Sequence, residues 1–143
     1  MSLHSLRIYV KAEQLSDRIA RIVEGWNEFH KKTLGLQIVR AADSVSNNIA
    51  EGYGRVSIGE RVQFYLYADG SLQETVNCLR RAKGRLLIDD SDLVELSNLC
   101  TSISIGLVEF AYAQMQREPS YNGPFRERIE RRRKWLVERR RNG

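Results

Sequence analysis

At 143 residues the chain is one domain by length and long enough to bury a substantial core, and its 42% hydrophobic and 29% charged content is that of a folded chain. Two cysteines without CxxC spacing exclude a disulfide framework or a zinc site, and no apolar run reaches the roughly 18 residues of a membrane span. The net charge of +5 is uneven: residues 126–143 hold nine basic and three acidic residues, a net of +6, and the remainder is close to neutral at −1.

The N-terminal stretch MSLHSLRIYVKAEQL has no charged region followed by an apolar core. No secretory signal is expected, and the expected location is the cytoplasm, without membrane association. Ile8, Ala12, Leu15, Ile19, Ile22, Trp26 and Phe29 alternate spacings of four and three, which predicts a first helix with a clean apolar seam. HKKT follows, with Lys31 and Lys32 suited to a helix C-terminus and Thr33 able to cap the next helix, so a turn is expected at 30–33.

The second predicted helix is LGLQIVRAADSVSNNIAEGYGR, residues 34–55. At about 100° per residue, Leu34, Ile38, Ala41, Val45, Ile49 and Tyr53 share one side. A second row, Gln37, Arg40, Ser44, Asn48, Glu51 and Arg55, uses short hydrogen-bonding side chains where a solvated face would tolerate any mixture. Gly52 and Gly54 offer left-handed backbone positions at its end. Ser57 and Glu60 form a capping box for a third helix through Val62, Leu66, Leu72, Val76 and Leu79. Gly70-Ser71 falls mid-helix, where glycine costs about 1 kcal/mol relative to alanine, so close packing of another backbone is the natural compensation.

IDDSD is a turn with several caps, placing a connection near 87–91. Leu93, Leu96, Cys100, Ile103, Leu107 and Phe110 mark the fourth helix, fading near Gln116. PSYNGP breaks the pattern, and Pro124 opens a short fifth helix, FRERIERRRKWLVERRR. Strand-like alternation is absent and the connectors between long helices are short. The expected fold is all-α: an up-down-up-down antiparallel four-helix bundle over 1–118, with a basic C-terminal extension over 119–143.

Catalytic apparatus is missing. Neither His4 nor His30 follows a Glu at the ExxH spacing of bundle metal sites, and GYGRVS lacks both the preceding strand and the third glycine of a dinucleotide loop. No P-loop or GxSxG occurs, and neither cysteine has a histidine partner. No catalytic residue, cofactor or metal is expected.

Three features remain for binding, and each has a structural reading beside it. The polar row on helix two is either a network of caps and interhelical hydrogen bonds or a site flanked by Arg40 and Arg55. Arg80, Arg81, Lys83 and Arg85 in LRRAKGR either complement a helix dipole or form an anion-binding patch. The tail is either a solvated extension or an RNA-binding helix, with Arg126, Arg128, Arg131, Arg132, Arg133 and Lys134 contacting phosphates and Trp135 stacking on an unpaired base.

QIVRAADSVSNNIAEGYGR, followed at matched spacing by FYLYADGSLQET, resembles the 23S rRNA intervening-sequence proteins. Members read like Q-x-R-R-A-A-x-S-x-x-x-N-I-A-E-G and then F-x-x-x-A-x-G-S-x-x-E. Gln37, Arg40, Ser44, Asn48, Glu51, Gly52, Gly70, Ser71 and Glu74 fall on those positions, and Val39 stands where a second arginine is usual. The resemblance covers about residues 6–117 and implies a homopentamer of antiparallel four-helix subunits. A similar fold in retroelement accessory proteins binds a reverse transcriptase and nucleic acid, an analogy at fold level. The basic tail lies outside the resemblance. Together these readings predict a non-enzymatic oligomer that binds RNA or an RNA–protein assembly. The alternative is an interaction scaffold whose tail docks an acidic protein. An enzyme with a site at a subunit contact has only Glu51, Arg40 and Asn48 to support it.

Overall fold

A computed structural model describes residues 2–143, and every long element in it is helical. A 3-10 turn (Leu3–Ser5) leads into α1 (Arg7–Glu24), which buries Ile8, Ala12, Leu15, Ile19 and Val23 as its spacing requires. The chain then turns at Gly25–Asn27, earlier than the expected 30–33. Asn27 supplies the cap, its side-chain oxygen accepting from the His30 N–H at 3.0 Å. Trp26 folds back so that its indole N–H donates to the Leu87 carbonyl at 3.1 Å. Phe29, which continues the apolar spacing in sequence, is 67% exposed.

α2 (Glu28–His30) continues through a π-helical stretch (Lys31–Gly35) into α3 (Leu36–Gly54). Thr33 is therefore inside a helix and not a cap; its hydroxyl donates to the Phe29 carbonyl at 2.8 Å. Gly35 is buried where a β-carbon would lie 2.8 Å from Val23 Cγ1 and 2.9 Å from the His30 carbonyl oxygen. This contact brings α1 against the widened helical turn.

Ile38, Ala41, Ala42, Val45 and Ile49 of α3 face the core. Gly52 is helical, not left-handed: a β-carbon there would lie 2.6 Å from Tyr65 Cε1, so the glycine lets α3 approach the next helix closely. Gly54 likewise has no positive φ. α4 (Ile58–Gly84) begins with the expected capping box, the Ser57 hydroxyl oxygen accepting from the Glu60 N–H at 3.3 Å. Its interior Gly70 has no neighbour within 4 Å of where a β-carbon would stand, so the close packing expected there is not made among the described residues.

The α4 terminus carries the one positive φ among the described residues, 60° at Leu86. The Leu87 N–H returns to the Ala82 carbonyl at 2.9 Å, a closure that usually employs glycine. Asp89 caps α5 (Asp90–Gln116), accepting from the Asp92 N–H at 2.7 Å. α5 is long and apolar enough to cross a membrane by length and composition. Its buried Leu96, Cys100, Ile103, Leu107 and Ala111 instead belong to the bundle core.

α3 packs on α4, α4 on α5, and α1 on both α3 and α5, closing a four-helix ring. α6 (Pro124–Asn142) lies against α5 and α4, with Pro124 in its first turn as expected. The apolar seams do not end before Pro119: Ile129 and Leu136 of α6 join the same buried core. Tyr121 seats the connection, its ring packed beside Gly59 and Gly123.

Candidate functional site

The position of α6 is set by ion pairs as well as by apolar burial. Asp69, on α4, is 3% exposed. Arg132 meets it with two nitrogens, Nε to Oδ2 at 2.8 Å and Nη2 to Oδ1 at 3.4 Å. The same Nη2 donates to Ser104 Oγ at 3.2 Å, and the Ser104 hydroxyl and the Gln73 amide also donate to Asp69. Every acceptor of the buried carboxylate thus has a partner, as burial demands. Arg126 acts at the other end of the contact. Its guanidinium donates to the Met115, Glu118 and Tyr121 carbonyls and so caps α5. Arg133 grips Glu109 at 3.0 and 3.2 Å and lies over the Tyr112 ring.

Where α6 crosses α4, a groove of about 240 Å³ opens. Arg80, Arg132, Trp135 and Arg139 line it, with Gln73 and Asn77 beside them and Leu72, Val76 and Leu136 as apolar wall. Trp135 is 44% exposed and carries two guanidinium groups, Arg132 at 4.7 Å and Arg139 at 5.0 Å from its ring centroid. Asp69, Arg132, Trp135 and Arg139 therefore form a continuous chain of contacts from the core to solvent. Arg80 and Arg139 have no acidic partner among the described residues.

The expected cations thus divide into two sets. Arg126, Arg132 and Arg133 are used within the subunit, Arg131 pairs with Glu127, and Lys83 pairs with Asp90. Arg128, Lys134, Arg81 and Arg85 are exposed and, like Arg80, have no acidic partner among the described residues. Trp135 is not the open platform that its sequence context suggests, because both neighbouring arginines already contact its ring.

The polar row of α3 lies toward the outside of the bundle. Gln37, Arg40 and Glu51 are exposed, and Ser44, Asn48 and Arg55 are half-buried. Asn48 donates to the Ser44 carbonyl of its own helix at 2.8 Å. Arg55 pairs with Glu51 and Glu60 and lies 4.9 Å over Phe64. Within one chain the row reaches another helix only at Arg55, through Glu60 and Phe64 of α4, among the contacts of the described residues.

A sequence profile of the 23S rRNA-intervening sequence proteins matches residues 4–109. The chain belongs to this family. No curated protein matches it significantly. In this intervening-sequence protein the family segment supplies α1 to most of α5, whereas α6 and its arginines lie beyond the match. Asp69 sits within the family segment, and its counter-ion comes from outside it.

Sequence reasoning missed Ser104 and Arg139 as groove residues and Asp69 as the buried partner of Arg132. Asp69 had a signal: it follows Tyr65 by four and precedes Leu72 by three, on the core-facing row of α4. Cys100 also lines the groove; burial pushes its thiol up to about 12, and Cys78 is pushed up mainly by burial, then by Glu74. Neither thiol is a nucleophile at neutral pH. Among the described residues no cluster of three or more His, Cys, Asp or Glu could hold a metal.

Proposed function

We propose that this intervening-sequence protein is a non-enzymatic cytoplasmic homo-oligomer that binds RNA, alone or within an RNA–protein assembly. The observation that carries the reading is the accumulation, along α6 and the end of α4, of cations with no acidic partner among the described residues. Arg128, Lys134, Arg139, Arg140 and Arg141 stand on α6, and Arg80 and Arg81 on α4 with Arg85 at its C-cap. Phosphate attraction grows with the number of cations engaged. Exposed arginines already held by acids contribute less, so Arg128 and Lys134 replace Arg132 and Arg133 as the main tail contacts.

Oligomerisation is supported by the outward row of Ser44 and Asn48 and by the open space beside Gly70. The resemblance makes five subunits the expected number, and a ring would multiply weak contacts through avidity. The test is direct. Purified full-length protein is examined for co-purifying RNA and titrated with single-stranded RNA at increasing salt. The affinity should fall with a log–log slope of about −0.7 per phosphate neutralised. Arg128→Glu with Lys134→Glu should flatten that slope. A protein that binds an acidic polypeptide but no RNA at low salt would replace this reading with the scaffold alternative.

A further inference from the structure

We infer that the groove between α4 and α6 is a subsite for one unpaired nucleotide, with Arg80 and Arg139 on its phosphate and Trp135 against its base. This rests on the RNA-binding reading above and gives it a location. Three observations support it. The two guanidinium groups come from different helices, line the same groove, and have no acidic partner among the described residues. The wall between them is apolar at Val76 and Leu136, whereas Gln73 and Asn77 bring amide donors and acceptors to its edge. That mixture suits a planar base with a polar rim better than it suits phosphate alone.

Volume narrows the ligand further. About 240 Å³ falls below the usual range of roughly 300–1,000 Å³ for drug-sized pockets, so the groove takes one residue of a strand and not a helix of RNA. A duplex cannot offer it a base, since its bases are stacked and paired.

The contacts also describe how the site fills. Arg132 is tied to the buried Asp69 by two nitrogens, so its contact with the Trp135 ring is the more firmly held of the two. Arg139 is exposed and is held on the ring by the cation–π contact alone. It exchanges the ring for a phosphate oxygen, and the incoming base takes its place on the indole. An exposed cation–π contact is the weaker of the two partners for the ring.

The experiment compares two double variants of the full chain, Arg80→Ala/Arg139→Ala and Arg128→Ala/Arg140→Ala. Each removes two cations that have no acidic partner, and circular dichroism establishes that both remain helical. Binding of a short oligouridylate and of its duplex with oligoadenylate is measured at one fixed salt concentration. The groove variant should lose about tenfold or more of its affinity for the single strand beyond the charge-driven loss it shows for the duplex. The control variant should lose affinity for both alike, through charge alone. Trp135→Phe should abolish the quenching of tryptophan emission by the bound single strand. Equal losses for the two doubles overturn the subsite while leaving RNA binding by α6 standing. A wild-type protein that binds neither RNA at low salt overturns both.

Discussion

Replacing Arg132 with alanine removes the cation that, among the described residues, meets the buried Asp69 carboxylate. Breaking a buried pair in this one-sided way costs about 3–5 kcal/mol, because a charge is left in the core. Two features reduce that figure here. Ser104 and Gln73 still donate to Asp69, and the Arg132 side chain is itself 20% exposed. The expected loss is about 2–4 kcal/mol, a fall of roughly 6–20 °C in the thermal midpoint for a chain of this size. Urea denaturation followed by circular dichroism measures it. Asp69→Asn should cost less, about 1–2 kcal/mol, since Arg132 can reach water. In the Asp69→Asn background the Arg132→Ala loss should shrink to about 1 kcal/mol, giving the pair a coupling energy of about 1–3 kcal/mol. The loss should also persist from low salt to about 0.5 M, as screening barely reaches buried pairs. A loss below about 1 kcal/mol, the range of surface pairs, would refute the reasoning, as would equal losses in the two backgrounds.

Other outcomes follow from single positions. Gly52→Ala should lose about 1–3 kcal/mol through the clash with Tyr65, whereas Gly70→Ala should stabilise the isolated subunit by up to about 1 kcal/mol; chemical melts compare them. Leu86→Gly should raise stability by about 0.5–1 kcal/mol, because Leu86 is 86% exposed and holds a φ of 60° with no burial to offset it. The Cys100 thiol is raised from 9.0 to about 12 in the folded chain, so the unfolded chain ionises first as pH rises. Stability should be complete below about pH 9 and fall toward pH 12, and Cys100→Ala should flatten that fall in pH-dependent melts. Light scattering of the full chain should give the mass of five subunits, and a monomer at micromolar concentration would count against the proposed ring.

Local chemistry was legible in the sequence, and long-range pairing was not. Ser57 and Glu60, Pro124, and the apolar rows of α1, α3 and α5 each announce themselves within a few residues. The first turn was misplaced because Ile22, Trp26 and Phe29 keep helical spacing across a break. Gly25 and the Asn27 cap interrupt the helix there, and Trp26 reaches across to Leu87. Gly52 reads as a terminus in one dimension and proves to be a contact with Tyr65 in three. The groove was hidden for a similar reason. Arg80, Arg132 and Arg139 lie on two separate helices, and nothing local in either one indicates that they meet.

The separation of Asp69 and Arg132 by 63 residues also bears on the order in which the chain is made. Synthesis proceeds from the N-terminus, so α4 emerges while its counter-ion has yet to be translated. At about 5–20 residues per second the carboxylate waits about 3–13 s for Arg132. Until then Asp69 has the Ser104 and Gln73 donors but no counter-ion, and the groove-side surface of α4 at Leu72 and Val76 lacks α6 beside it. The nascent bundle is therefore held open on one side. The sixth helix acts as a clasp, fastening only after the family segment has been made.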